Sequence, residues 1–281
     1  MGQDSQAGAW GALSSLKEEP VTQPVSLPSF RVGKVLSDTF AIFFANFFRF
    51  WAVALVVMAP TAIGFWAMGV FMGPAPDAPM PADPIGFFIS FFGTLAWVLA
   101  SIAVMMAAVI YGAIEYQTGR KAPLVDMLKV GVRSGVPVVV AMVLSVILYM
   151  IGWMLFIVPG IIVAMMLCVT VPAIVAEKLG PLKAIRRSRE LTSGFKWPIL
   201  GCFLVMAVVA QVVNLALMMP MILGSTVNVT PGTVGFVYSA VTTTLMGSVY
   251  VFFGSGVASI YTNLRAAKEG TSADDIAKVF E

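Results

Sequence analysis

The chain has no histidine, two cysteines in 281 residues, and charge on only 11% of its positions. An ordinary soluble domain carries about 25% charged residues. Without histidine there is no His-based zinc site, no imidazole general base and no Ser–His or Cys–His dyad. No H-E-x-x-H motif, no pair of intramembrane aspartates and no glycine-rich phosphate loop occurs, so the reading is non-enzymatic and without a cofactor or metal. Cys168 and Cys202 both sit in apolar runs and read as small buried hydrophobes rather than a disulfide. A net charge of +3 is too small for a nucleic-acid partner. Residues 1–30 lack the basic start and apolar core of a signal peptide and carry Pro20, Pro24 and Pro28. They read as a disordered cytoplasmic tail, and 271–281 as a second tail.

What is abundant is apolar surface. Hydrophobic residues make up 59% of the chain, and its mean hydropathy is +0.93. A water-soluble fold of this length could not hide so much, which makes this an integral membrane protein. Six stretches are long enough to cross a bilayer as helices: about 50–72, 85–116, 136–158, 160–176, 197–223 and 234–264. The third and fourth are divided at Pro159-Gly160, a turn signal inside one very long apolar run. With six spans, the loops 73–84, 158–160 and 224–233 contain no Lys or Arg, and all 17 basic residues fall on the opposite side. Basic residues stay cytoplasmic, which predicts both termini in the cytoplasm and an inner-membrane location.

Three amphipathic stretches precede the odd-numbered spans, at about 31–48, 123–134 and 181–195. In the first, Val35, Leu36, Phe40, Phe43 and Phe47 gather on one side. In the second, Leu124, Met127, Leu128 and Gly131 oppose Asp126, Lys129 and Arg133. In the third, Ala184, Ile185, Ser188, Leu191 and Thr192 share a face. The pattern predicts an all-α domain over 31–270, built from three repeats of an in-plane helix followed by a transmembrane hairpin. Such helices lie flat in the interface, or pack their apolar face on the bundle.

Two segments resemble a known family. From Pro172 to Gly194 the chain fits P-x(4)-E-x(2)-G-P-x(2)-A-x(2)-R-S-x-x-L-T-x-G, through Pro172, Glu177, Gly180, Pro181, Ser188, Leu191, Thr192 and Gly194. From Tyr261 to Gly270 it fits Y-x-D-L-R-x-x-x-E-G, through Tyr261, Leu264, Arg265, Glu269 and Gly270, with Asn263 in the aspartate's place. Both patterns resemble those of the bacterial multi-pass family named for the membrane domain of some glycerophosphoryl diester phosphodiesterases. The phosphodiesterase barrel has no counterpart in these residues. The resemblance therefore implies a stand-alone inner-membrane protein and carries over no hydrolytic role.

Several residues stand out beyond the motifs. Lys183, Arg186, Arg187, Arg189 and Lys196 form a basic cluster on an amphipathic stretch, the composition that attracts anionic lipid headgroups. Glu177 closes the fourth span, with Lys178 or Arg187 as its expected partner, and Glu115 closes the second. Glu190 lies within reach of Arg186 or Arg187. Gln211 and Asn214 are intramembrane polar residues on one face of the fifth span, placed to bond to the sixth. The function these features favour is a lipid-contacting, membrane-organising or accessory scaffold. The alternative is a transporter or passive conduit for a lipid or apolar solute between spans five and six. Membrane lipids are the expected partners, and the wide apolar faces also suit a second copy or another membrane protein.

Overall fold

The computed structural model describes residues 30–67, 84–224 and 233–270, with side chains placed for 30–61, 63, 85–215 and 247–270. The two tails and the loops expected at 73–84 and 224–233 lie essentially outside the described residues. Those described are helical throughout, without a strand: α1 (Val32–Ala45), α2 (Phe47–Ala67), α3 (Pro84–Gln117), α4 (Leu124–Leu155), α5 (Ile157–Leu167), α6 (Thr170–Glu177), α7 (Pro181–Thr192), α8 (Lys196–Gly224) and α9 (Thr233–Glu269).

Among the described residues, four helical stretches are long and apolar enough to cross a membrane: Ile85–Gln117, Leu124–Leu155, Ile157–Glu177 and Lys196–Leu215. The pair α1–α2, bent by 71°, makes a fifth when counted as one span. The described residues are those of an all-helical, multi-pass membrane protein.

Its centre is α3 and α9. Met105, Ala107, Ala108, Val109, Ile110, Ala113 and Ile114 of α3 are buried, as are Ala258, Ile260, Tyr261 and Leu264 of α9. Small residues set these contacts, because two helices in lipid gain most from close approach. A Cβ on Gly131 of α4 would stand 2.6 Å from the Val104 carbonyl oxygen of α3. One on Gly254 of α9 would meet Val109 at 3.0 Å.

The elements depart from the sequence expectation in three places. The amphipathic stretch 123–134 is not a separate in-plane helix, because α4 runs unbroken from Leu124 to Leu155. Real breaks coincide with a residue outside helical geometry. Asn46 between α1 and α2 is one (φ −114°, ψ 13°), and Gly180 before α7 is another (φ −70°, ψ 161°). Residues 134–137 contain none. Pro137 only removes a bond to the Arg133 carbonyl, while Gly131 and Gly135 just upstream pack on Val104 of α3 and hold α4 to one line. A separate helix therefore precedes the expected first and fifth spans, but not the third.

The turn expected at Pro159-Gly160 falls earlier, at Phe156, a single extended residue (φ −174°, ψ 163°) between α4 and α5. Pro159 lies in the first turn of α5, where a missing N–H costs nothing. Gly160 serves close packing: a Cβ on Gly152 would meet its Cα at 3.0 Å.

The expected fourth span is two helices. It breaks at Cys168–Val169, just upstream of Pro172, which has no N–H to offer the Cys168 carbonyl.

Candidate functional site

The break between α5 and α6 frees main-chain carbonyls inside an apolar bundle, where each needs a donor. Thr170 Oγ1 donates to the Leu167 carbonyl at 2.7 Å. Ser188 Oγ of α7 donates to the Met166 carbonyl at 2.8 Å, and Thr192 Oγ1 lies 3.5 Å from the same oxygen. Ser188 and Thr192 are four apart and fully buried with Ala184 and Leu191, so this face of α7 packs on the bundle rather than into lipid. Gly180 and Pro181 start that helix with proline in its first turn. After it, Gly194 takes φ +87°, a left-handed turn that leads into α8.

Arg187 projects beside Ser188 into a set of charged groups. Its Nε donates to Glu177 Oε1 and Oε2 at 2.9 and 3.0 Å, and its Nη2 donates to Glu269 Oε1 at 2.5 Å. Tyr261 Oη donates to Glu177 Oε1 at 2.8 Å. Arg265 Nε donates to Glu269 Oε2 at 3.1 Å, and the Arg265 guanidinium lies 5.9 Å from the Tyr261 ring centre. Two guanidiniums and two carboxylates thus link α6, α7 and α9 in a network with no net charge. Burial alone would raise the Glu269 carboxyl, but Arg187 and Arg265 outweigh it and hold that carboxyl below its ordinary range. Burial likewise disfavours the Arg187 cation, and the two carboxylates more than restore it.

The two motif segments, far apart in sequence, are therefore one structural unit. Pro172, Glu177, Gly180, Pro181, Ser188, Leu191, Thr192 and Gly194 shape one half; Tyr261, Leu264, Arg265, Glu269 and Gly270 supply the other. Leu191 and Leu264 are core residues beneath the network, and Gly270 follows α9 in a left-handed conformation. Arg187, one of the two partners expected for Glu177, is paired with it, and it meets Glu177 and Glu269 rather than Glu190.

The basic cluster divides accordingly. Arg187 is half-buried and ion-paired, Lys196 is half-buried, and Lys183, Arg186 and Arg189 are exposed. Leu182 of the same helix is 72% exposed, and Trp197, in the first turn of α8, is 77% exposed. Gln211 is exposed and Asn214 half-buried; Thr242–Thr244 of α9 lie outside the residues with described side chains. Glu115, expected at the membrane edge, is buried at 5% exposure. Cys168 and Cys202 are both free thiols.

A second polar link was not anticipated. Ser259 Oγ of α9 donates to the Val35 carbonyl of α1 at 3.0 Å, and Asn263 Nδ2 donates to Asp38 Oδ2 at 3.2 Å. Asn263 and Ser259 are one turn apart on α9, which was the available signal. Asn263 stands where the resembled family has aspartate, and an amide suits this site because it can donate to the Asp38 carboxylate.

Among the described residues, no three of Cys, Asp and Glu converge to hold a metal ion, and the carboxylates of Glu177 and Glu269 are taken up by arginine. The arrangement is suited to holding helices together and to presenting cations. Comparison of the chain with family models, curated proteins and solved structures returned no match.

Proposed function

We propose that the chain is a six-span bacterial inner-membrane protein with both termini cytoplasmic, related to the phosphodiesterase membrane-domain family. In this reading it performs no chemistry of its own. It acts as a lipid-contacting organiser or accessory scaffold, with α7 on the cytoplasmic leaflet. α9, 37 residues long, supplies the sixth span. The orientation is supported by the absence of Lys and Arg from 73–84 and 224–233.

The observation that carries the proposal is the division of α7 into two faces. Its buried face is bonded to the bundle through Ser188 and Thr192. Its other side leaves Lys183, Arg186 and Arg189 exposed together with Leu182. Cations beside an exposed aliphatic side chain match a headgroup layer, where phosphate meets acyl chain, and the exposed Trp197 in the first turn of α8 is of the residue type enriched there.

Replacing Lys183, Arg186 and Arg189 together by Gln tests this, with Arg187 left in place because it belongs to the fold. At about 1 kcal/mol per surface cation, anionic-lipid affinity should fall by about two orders of magnitude. Native mass spectrometry of the extracted protein reads the retained lipid, and a thermal melt checks that the bundle is intact. Undiminished retention of anionic lipid by an intact triple variant would defeat the proposal.

A further inference from the structure

The hairpin of α4 and α5 ends in an unusual surface. Residues 146–169 contain no charged residue and no Asn, Gln, Ser or Thr; only Tyr149, Trp153 and Cys168 carry a polar side-chain atom. At the turn itself the apolar residues point outward. Trp153, Met154, Leu155, Phe156, Ile157 and Val158 are between 54% and 86% exposed. An uncovered run of this kind in water would be a strong aggregation site.

The main chain is economical where this tip folds back. Helix ends normally leave several N–H and C=O groups unpaired. Here the Phe156 N–H donates to the Gly152 carbonyl and the Gly160 N–H to the Phe156 carbonyl, both at 3.2 Å. Pro159 has no N–H to satisfy. The connection is a single residue, made possible by the contact of Gly152 with Gly160. Fewer unpaired groups make a turn compatible with a medium that offers no hydrogen bonds.

Length points the same way. The arm Ile157–Glu177 has 21 residues, about 31 Å if it were one straight helix. The hydrocarbon core is about 30 Å thick. Glu177, fixed to Arg187 and Tyr261, marks the polar end of this arm. An arm of that length brings the tip to about the opposite edge of the acyl layer and not far beyond it.

We propose that Trp153–Val158 is a lipid-embedded surface, wrapped by acyl chains, and not a loop in water. The inference goes beyond the headgroup contact at α7 and requires only that a bilayer surrounds the bundle.

Single nitroxide labels at positions 154, 156 and 158, with a reference label at 183, test it. The full chain is used in phosphatidylethanolamine–phosphatidylglycerol vesicles, with Cys168 and Cys202 replaced by alanine. The three tip labels should collide readily with oxygen and scarcely with a water-soluble nickel chelate, with the preference reversed at 183. The ratio of the two rates should differ by at least an order of magnitude between tip and reference. Nickel access at the tip equal to that at 183 would place it in water and overturn the proposal. Access to neither reagent would mean a protein cover, such as a second copy, and would overturn it equally. If the cysteine-free chain does not fold, Trp153 reports instead, as the difference between the unaltered chain and Trp153→Phe. Quenching of that difference by acyl-brominated lipid supports the proposal; quenching by aqueous iodide, or by neither, refutes it.

Discussion

The two ends of the α4–α5–α6 hairpin solve opposite problems. At the α6 end, Glu177, Arg187, Tyr261, Arg265 and Glu269 satisfy one another in a network without net charge. At the other end, the turn at Phe156 has no charged side chain, only the Trp153 indole N–H as a polar side-chain group, and limits its unpaired main-chain groups by its shortness. One end is held by directional contacts between three helices. The other is held by the close approach of two glycines and by whatever surrounds it. The difference teaches that a helix in lipid can be anchored at a single end. Specificity is concentrated where water is near, and shape suffices where it is not.

The sharpest way to break this asymmetry is at Glu177. Glu177→Ala leaves the Arg187 guanidinium with one carboxylate fewer and the Tyr261 hydroxyl without its acceptor. Removing one partner of a fully buried pair costs about 3–5 kcal/mol. The side chains of Arg187 and Glu177 are 23% and 19% exposed, so about 2 kcal/mol is expected after allowance for solvent. Thermal melts in detergent should show the loss, and adding Arg187→Met should recover part of it. Strictly additive losses in the double variant would mean that the two groups are not coupled.

At the opposite end, Gly152→Val should cost about 1–2 kcal/mol by forcing apart the two arms where Gly152 meets Gly160. Because no ion pair is touched, that cost should be independent of pH. An acid-dependent loss would show that the two ends are not separable.

The smallest effect is that of acid on Glu269. Its carboxyl is held below the ordinary value of 4.5, so its contribution is fully present above that value. The contribution is lost as the pH falls through the depressed one. Glu269 is partly exposed, so the change is about a few tenths of a kcal/mol. Glu269→Gln should remove that part of the acid limb from a pH series of melts; an unchanged limb would assign it to other carboxylates.

Hydropathy made the helices themselves legible. The expected 85–116 and 197–223 are found as Pro84–Gln117 and Lys196–Gly224, because a run of apolar residues has one way to sit in a bilayer. Breaks were harder to place. Pro137, Pro159 and Pro172 look alike in sequence, yet one lies inside a continuous helix and two lie in first turns. What separates them is tertiary: Gly131 and Gly135 against α3, Gly152 against Gly160, and the hydroxyls of α7 at the Met166 carbonyl. The Glu177–Arg187 contact was within reach of sequence reasoning, since the two lie ten residues apart across one turn. Tyr261, 84 residues from Glu177, was not, because nothing in local spacing says which helices neighbour one another. The motif segments could each be singled out; that they meet could not.

The position of α9 at the end of the described chain has a consequence for how the protein is made. Translation delivers Glu177 and Arg187 well before Tyr261, Arg265 and Glu269, and Asp38 long before Asn263. Until α9 emerges from the ribosome, α1 has no Ser259 or Asn263 to hold it, and Arg187 has Glu177 without Glu269. α9 is thus the clasp for both α1 and α7, and a nascent chain cut off before Tyr261 would remain unfastened at both.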